Sequence, residues 1–369
     1  MEHLSEVVKI LDAALMHDAE KATAYGTLLA SKLDADRQPR QARALRSVLA
    51  KLPASQVSAS YARPRLPTDA ENSLALVDFY AVGEQPQSEL ALHPYVRDRI
   101  DDFLNSVRMH DQWAAHGVAS ANRLLIYGPP GTGKTSIAMK IAEELALPVV
   151  LSRSDALVSS LLGQTSRNIR NIFDFVSSNP CVLFLDEFDA LAKNRSDSRE
   201  IGELQRVVIA LLQNVDALDP STVMIAATNH PELLDPAAWR RFDYTLKVDF
   251  PDSAEREQIW TTMLGPFAPE KSDLKHLVEY SEGMSGAAIK LAANDIGRLA
   301  ITAGCGSLPI PEMLRRVARI LWFDSHECFQ TEHTEMAALR AWAPDVFTVR
   351  ALSELFRVST RQVNNAIKG

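Results

Sequence analysis

Residues 128–135 read Gly-Pro-Pro-Gly-Thr-Gly-Lys-Thr, which is the pattern of a phosphate-binding loop. They join an apolar run, 124–127, to an amphipathic stretch. This context predicts a strand, a loop and a helix, and it disfavours a simple glycine-rich turn with an incidental lysine. Glycines let backbone N–H groups face phosphate oxygens, and the helix N-terminus adds positive potential. Lys134 can place its charge on the β- and γ-phosphates, while the Thr135 hydroxyl can ligate Mg²⁺. The expected nucleotide-binding residues are Gly128, Pro129, Pro130, Gly131, Thr132, Gly133, Lys134, Thr135 and Ser136.

Two adjacent carboxylates, Asp186 and Glu187, end a second apolar run, 182–185. We expect Asp186 to join Thr135 as a ligand of Mg²⁺, and Glu187 to orient and polarise the attacking water. A solvated pair of acids would look the same in isolation. The position of this pair about fifty residues after a phosphate loop favours the hydrolytic interpretation.

Further polar residues follow the fourth apolar run, 223–227. The side-chain amide of Asn229 can contact the γ-phosphate or the lytic water, or Asn229 can be a simple turn residue. Arg240 and Arg241 precede the next predicted strand. They can be solvated charges, or their guanidinium groups can stabilise charge on a transferring phosphoryl group. Spacing alone leaves both interpretations of the arginines open.

Short continuous apolar runs alternate with amphipathic stretches from about residue 74 to 250. Such runs are typical of parallel strands covered on both faces, so they predict an α/β fold with a doubly wound parallel sheet. Ligands of such a sheet bind at the carboxyl ends of its strands. The predicted organisation is an N-terminal helical bundle (1–60), a linker (61–85), a large α/β domain (86–250), a helical domain (251–325) and a helical tail (326–369).

Apolar residues at helical spacing in the first 52 residues predict three helices that pack on one another. We expect the apolar face of the first helix to be buried in this bundle. That face consists of Leu4, Val7, Val8, Leu11 and Leu15.

The formal net charge of −8 excludes a globally basic coat for nucleic acid, although it does not exclude a local basic element. No stretch reaches the roughly 18 uncharged apolar residues of a membrane helix, and residues 1–6 lack the pattern of a signal peptide. The three cysteines are sparse and irregularly spaced, as is typical of a reducing compartment. We therefore expect a cytoplasmic location and no membrane partner.

Residues 349–368 predict two short helices joined near Val358, with Ser359 and Gln362 at capping-box spacing. This arrangement resembles a helix-turn-helix that could contact DNA, and four basic against two acidic residues from 345 to 369 give it a charge of +2. The alternative is a helical hairpin that packs on the preceding helices or on a partner protein. In the DNA interpretation, Thr360, Arg361, Asn364 and Asn365 face a groove, and Arg357 and Lys368 lie near phosphates.

The chain from about residue 76 to 321 resembles the AAA ATPases. The phosphate loop, the Asp-Glu strand, Asn229 and the stretch 223–243 occur in the order and spacing of that family. The resemblance implies a P-loop NTPase sheet of five parallel strands followed by an all-helical lid. It also implies ATP and Mg²⁺ as ligands, hydrolysis of ATP, and a homo-oligomeric ring, usually a hexamer.

The same resemblance implies roles for individual residues. Asn229 would be sensor 1, and Arg240 and Arg241 would be fingers that act on the nucleotide of the neighbouring subunit. Gly286 and Ala287 belong to a segment that looks like the lid motif closing over adenine.

Some residues depart from the family pattern. Arg240 and Arg241 are adjacent, whereas the family commonly separates its two arginines. Leu161 stands where the pore loop usually has an aromatic residue, and Gln164 stands where a glutamate is usual. Leucine can grip an extended chain by apolar contact but lacks the large ring face. These features look like a prokaryotic branch, whose members often accompany a peptidase or a defence module.

Two functional hypotheses follow from these observations. The leading one is a ring-forming, Mg²⁺-dependent ATPase that couples hydrolysis to the remodelling of a protein partner. The alternative is a nucleotide-switched DNA-binding regulator or defence sensor that uses residues 349–368.

Overall fold

Contacts divide the chain into two compact units. The first comprises Met1–Gln87, Val96–Gly128 and Lys134–Lys247, and the second comprises Ser88–Tyr95, Pro129–Gly133 and Val248–Gly369. The computed structural model describes residues 3–15, 19–49, 66–69, 74–85, 90–118, 120–153, 162–189, 201–322 and 331–368.

A six-stranded sheet forms the centre of the first unit, in the order β1-β3-β4-β5-β2-β6. Strands β2 to β6 run parallel, and β1 is antiparallel to β3. Every residue of β4 and β5 is buried, as the continuous apolar runs predicted. The predicted α/β fold with a doubly wound parallel sheet is therefore confirmed. The strands are β1 (Val77–Tyr80), β2 (Arg123–Tyr127), β3 (Val149–Ser152), β4 (Val182–Leu185), β5 (Val223–Thr228) and β6 (Tyr244–Lys247).

Strand β1 is an addition that the sequence pattern did not predict, and it lies within the predicted linker, 61–85. It reads Val-Asp-Phe-Tyr, so its apolar run is interrupted by an acid. An edge strand pairs on one side only and can expose alternate side chains, which leaves a weaker pattern than a central strand. Phe79 and Tyr80 pair with Val150 and Val149 of β3.

Helices of the first unit pack against this sheet. Buried residues of α6 and α7, among them Ile172, Phe173 and Leu211, share a core with β2, β4 and β5. The helices are α1 (Leu4–Leu15), α2 (Ala19–Ala35), α3 (Pro39–Leu49), α4 (Pro94–Ala115), α5 (Lys134–Glu144), α6 (Leu162–Ser178), α7 (Ile201–Ala217) and α8 (Pro236–Trp239).

Helix α1 buries its charged side rather than its apolar face. Glu6 is 7% exposed and forms an ion pair with Lys32 of α2. Lys9 donates a 2.7 Å hydrogen bond to the Ser221 hydroxyl and lies over the ring of Tyr25. The expectation of a buried apolar face is wrong for four of its residues, because these polar contacts turn that face outwards. Leu4, Val8, Leu11 and Leu15 are 42–78% exposed.

The second unit is helical. Asp252 and Glu255 form a capping box at the start of α9, and Ser285 caps α11. The helices are α9 (Ser253–Leu264), α10 (Lys271–Tyr280), α11 (Gly286–Ala303), α12 (Ile310–Leu321), α13 (Glu332–Trp342), α14 (Val349–Phe356) and α15 (Thr360–Lys368).

The last three helices share one core with the four before them. Met336, Leu352 and Val363 are at most 1% exposed and belong to the same apolar cluster as Trp260. The described helices of the predicted tail, 326–369, therefore pack on the preceding helices. Among the described ranges, no helix has the length and apolar character needed to cross a bilayer.

A buried ion pair strengthens this connection. Arg315 of α12 donates two hydrogen bonds, of 2.7 and 2.8 Å, to the carboxylate of Glu335 in α13. Burial alone would raise the pKa of Glu335, but the hydrogen bonds and charges of Arg315 and Arg319 outweigh burial and lower it. The carboxylate therefore stays ionised between the two helices.

Candidate functional site

Three strand ends meet at one edge of the sheet in the first unit. Strand β5 lies between β2 and β4, and all three are parallel. The N–H of Gly128, after β2, donates a 3.3 Å hydrogen bond to the carbonyl of Thr228, the last residue of β5. Asp186 follows β4 and Asn229 follows β5, so Gly128 and the predicted metal and sensor residues share this edge.

Thr135 and Asp186 are in direct contact at this edge. The Thr135 hydroxyl donates a 2.9 Å hydrogen bond to Oδ2 of Asp186, although 51 positions separate the two residues in sequence. Thr135 lies in the first turn of α5, and both side chains reach the surface. Hydroxyl and carboxylate oxygens are ligands that Mg²⁺ prefers. The residues present therefore fit the predicted metal site.

Lys134 is the buried cation of the site, with 6% of its surface exposed. Its ammonium donates a 2.8 Å hydrogen bond to the carbonyl of Gly128, so the side chain folds back along the loop. Burial lowers the pKa of Lys134, and the charges of Asp186 and Asp189 oppose that shift. A cation in a poorly solvated position attracts phosphate more strongly than a solvated one.

Glu187 has an unusual backbone conformation. Its φ is +51°, in the left-handed region that costs a non-glycine residue about 1 kcal/mol or more. Its N–H donates a 2.9 Å hydrogen bond to Oδ1 of Asp186, which supports this conformation. The turn leaves Glu187 exposed beside the Thr135–Asp186 pair.

Asp189 is a residue of the site that the sequence pattern did not single out. Its Oδ1 accepts a 2.6 Å hydrogen bond from the hydroxyl of Thr228, and that hydroxyl accepts a 3.0 Å bond from the N–H of His230. These bonds tie the turn after β4 to the end of β5, on either side of Asn229. The sequence offered one indication that Asp189 belongs to the site, which is that it lies three residues after Asp186.

The two adjacent arginines have different environments. Arg241 donates two 2.8 Å hydrogen bonds to the carboxylate of Asp216 and a third to the carbonyl of Ala237. Arg240 is exposed, and its guanidinium makes no ion pair or hydrogen bond with any described residue. Asn229 is half-buried, and the described part of the chain offers its amide no hydrogen bond either.

Loop residues 129–133 belong to the second unit, where they contact the start of α11. The N–H of Ala287 donates a 3.0 Å hydrogen bond to the carbonyl of Gly131, and Gly286 lies beside the same carbonyl. Within the loop, the Thr132 hydroxyl donates to the carbonyl of Pro129 at 2.9 Å. The predicted phosphate and lid residues thus touch each other at Gly131.

The structure also places the other residues predicted for the phosphate loop and the pore loop. Pro130 is exposed in the loop, Gly133 has a φ of +95°, and Ser136 is half-buried in α5. Leu161 lies outside the described residues. Gln164, at the start of α6, donates a 2.8 Å hydrogen bond to the buried carboxylate of Asp69. The amide of Gln164 can donate this bond, whereas the carboxylate of a glutamate at the same position would be repelled by the negative charge of Asp69.

The strand order, the phosphate loop and the Thr135–Asp186 contact define the P-loop NTPase class. A model of the ATPase family associated with various cellular activities (AAA) matches residues 124–250. An uncharacterized AAA family ATPase, y4kL, of Sinorhizobium fredii is 47% identical over 152 residues, which are 41% of this chain and 46% of that protein.

Other relatives are archaeal. A proteasome-activating nucleotidase of Methanococcus vannielii is 35% identical over 195 residues, 51% of this chain and 48% of that protein. A putative 26S proteasome regulatory subunit homolog of Methanocaldococcus jannaschii is 35% identical over 192 residues, 51% of this chain and 50% of that protein. The chain spans about half the length of these relatives. The family model and the relatives confirm the predicted resemblance to the AAA ATPases.

Gly131 provides a direct test of the loop. We predict that Gly131→Ala weakens ATP binding by about ten-fold or more, since about 1.4 kcal/mol corresponds to ten-fold. The new Cβ would lie 2.6 Å from the Ser285 hydroxyl in a backbone with φ of +75°. Titration of a fluorescent ATP analogue measures the loss.

Gly117→Ala is the matched control for this experiment. Gly117 has the same φ of +75°, but an added Cβ there meets nothing within 4 Å. The control should therefore lower stability slightly and leave ATP affinity unchanged. Equal affinity of the two variants would show that the contact at Gly131 does not shape the nucleotide site.

Proposed function

We propose that this protein hydrolyses ATP in a Mg²⁺-dependent reaction, works as a homo-oligomeric ring, and uses the energy to remodel a protein partner. The observation that carries the hydrolytic part is the 2.9 Å contact between Thr135 and Asp186. Two oxygen atoms that could ligate Mg²⁺ come from distant parts of the sequence and meet one residue after Lys134, which would bind the β- and γ-phosphates. The match of residues 124–250 to the AAA family supports the same reaction.

Each residue of the edge has a role in the proposed reaction. Thr135 and Asp186 would hold Mg²⁺, which when bound neutralises charge on the β- and γ-phosphate oxygens. Lys134 would exchange its bond to the Gly128 carbonyl for phosphate oxygens. Asn229 would contact the γ-phosphate or the lytic water through its amide.

Glu187 would act on the attacking water. Its carboxylate is exposed at the edge, and the left-handed turn fixes where its side chain leaves the backbone. From this position it would orient the water and accept its proton as the water oxygen bonds to the γ-phosphorus and the bond from that phosphorus to the β–γ bridging oxygen breaks, which releases ADP. A group with this role changes the rate of the chemical step and has little effect on ATP binding.

We predict that Glu187→Gln keeps ATP affinity within about two-fold of wild type and lowers kcat by about 100-fold or more, because general-base catalysis contributes on that scale. Steady-state phosphate release and equilibrium ATP binding measure the two quantities. Glu257→Gln, the same change on an exposed face of α9, serves as the control. Wild-type turnover in Glu187→Gln would remove the role assigned to Glu187.

The environments of the arginines support a finger at Arg240. The guanidinium of Arg241 is held by Asp216 and by the Ala237 carbonyl of its own subunit. Arg240 is exposed at the end of α8. An exposed guanidinium can reach a nucleotide in a neighbouring subunit without breaking an ion pair, and it would stabilise charge on the transferring phosphoryl group there.

We predict that Arg240→Ala abolishes most ATPase activity and leaves ATP binding intact. Arg241→Ala should act mainly on stability, because it leaves Asp216 without its partner. Phosphate release, ATP binding and thermal unfolding of both variants separate these effects.

Mixing subunits tests whether Arg240 acts across an interface. The Arg240→Ala subunit lacks the finger but keeps an intact phosphate loop, whereas the Lys134→Ala subunit has a defective phosphate loop but keeps Arg240. If each active site uses two subunits, co-assembly of the two inactive variants restores part of the activity. A mixture that stays inactive although mass spectrometry shows mixed oligomers would contradict the role in trans.

The protein partner is supported by the names of the relatives. Two of them are called a proteasome-activating nucleotidase and a proteasome regulatory subunit homolog. Their similarity covers about half of this chain, so a protein substrate is the part of the proposal that rests on relatives rather than on the geometry of the edge. An associated peptidase or defence partner remains a prediction from the family resemblance.

A further inference from the structure

One exposed face of α15 is polar and basic throughout. The buried side of this helix is formed by Val363 and Ala366, which are 0% and 5% exposed. The chain contains no acidic residue after Glu354. Four exposed residues at positions i, i+3, i+4 and i+7 lie on one face of the helix and form what we call the α15 stripe. The α15 stripe consists of Arg361, Asn364, Asn365 and Lys368.

The turn before α15 is fixed by hydrogen bonds. Arg357 ends α14 in a left-handed conformation with φ of +55°, and the N–H of Val358 donates to the carbonyl of Ser353 at 3.1 Å. Ser359 and Gln362 form the predicted capping box, with bonds of 2.9 and 3.3 Å. These bonds form a short ordered turn between α14 and α15, as in a helix-turn-helix.

A third helix supports this pair. Met336 and Leu339 of α13 belong to the same core as Leu352 of α14 and Val363 of α15. The guanidinium of Arg315 lies 4.3 Å above the ring of Phe356 at the end of α14. These contacts supply the supporting helix that a helix-turn-helix needs, and they keep the side chains of the α15 stripe on the outside.

Charge in this region is distributed unevenly. Arg315 and Arg319 are both paired with Glu335, and Arg350 is paired with Glu354 at 3.0 Å. By contrast, Arg361 and Lys368 form no ion pair with any residue in the described ranges. Among residues 345–368, the cations without an ion pair to a described residue are therefore Arg361 and Lys368 on α15 and Arg357 in the turn before it, although the whole chain carries −8.

The chemistry of the α15 stripe suits the edges of base pairs. Arginine recognises guanine and asparagine recognises adenine through paired hydrogen bonds in the major groove, while lysine binds phosphate. The helix has nine residues, and an α-helix with its side chains is about 10–12 Å in diameter, which the major groove admits. A protein-binding helix would be expected to expose at least one large apolar anchor, and the α15 stripe has none.

We propose that the α15 stripe binds duplex DNA in the major groove, with Arg361, Asn364 and Asn365 reading bases and Lys368 contacting the backbone. The bound partner is DNA, so this inference goes beyond the proposed hydrolysis of ATP and does not depend on it. Because the rest of the chain is acidic, binding should be confined to this face and should weaken steeply as salt increases.

The experiment uses the full-length protein and a random-sequence library of short DNA duplexes, with affinity for the enriched sequence measured by anisotropy at several salt concentrations. Truncation before α13 is avoided because it would expose the shared core. Arg361→Ala, the double variant Asn364→Ala with Asn365→Ala, and Lys368→Ala probe the α15 stripe. The matched controls are Asn294→Ala and Arg298→Ala, exposed residues of α11 with the same chemistry. Thermal unfolding verifies that each variant is folded.

We expect Arg361→Ala and the asparagine double variant to bind the enriched sequence about ten-fold more weakly and to lose sequence preference. Lys368→Ala should weaken binding to all sequences alike and reduce the salt slope by about one. The control variants should match wild type. The proposal is overturned if wild type enriches no sequence, if the α15 stripe variants bind like wild type, or if the controls lose as much affinity. A stripe that binds a protein instead would give the first of these results, or the second if DNA binds elsewhere on the chain.

Discussion

The hydrogen bond between Thr135 and Asp186 depends on the parallel arrangement of β2, β5 and β4. Strands β2 and β4 are separated by one strand, so the helix after the phosphate loop and the turn after β4 emerge at the same edge. A shift of β4 by one residue would turn its side chains to the opposite faces and move Asp186 away from Thr135. The buried apolar residues of β4 and β5 fix this register, and they therefore determine the spacing of the two oxygen ligands.

The cations of the first unit differ in whether a described residue pairs with them. Lys134 donates to the Gly128 carbonyl and Arg241 pairs with Asp216. Arg240 has no such partner among the described residues. The two adjacent arginines therefore differ in role. Arg241 joins α8 to α7, and Arg240 is the one that the proposed ring would use on the nucleotide of a neighbouring subunit.

The sequence predicted those features that are encoded locally. The glycines and Lys134 of the phosphate loop act through the backbone of a short segment, and continuous apolar runs identify β4 and β5 without knowledge of their neighbours. Tertiary partners were not predictable in this way. The pairing of Arg241 with Asp216, 25 residues earlier, and the bond between Asp189 and Thr228 depend on how helices and strands meet. The outward apolar face of α1 was missed because periodicity shows two faces but not which one is buried when the polar one is fully paired.

In the proposed reaction, Asp186 supplies a negative charge for Mg²⁺ beside the nucleotide phosphates. Calorimetry of ATP binding with and without Mg²⁺, for wild type and Asp186→Asn, tests this role. Asparagine can still accept a hydrogen bond from Thr135 but lacks the negative charge. We expect equal or tighter binding by the variant in the absence of Mg²⁺, and a gain in affinity on adding Mg²⁺ for wild type alone. The same gain for both proteins would contradict the role of Asp186.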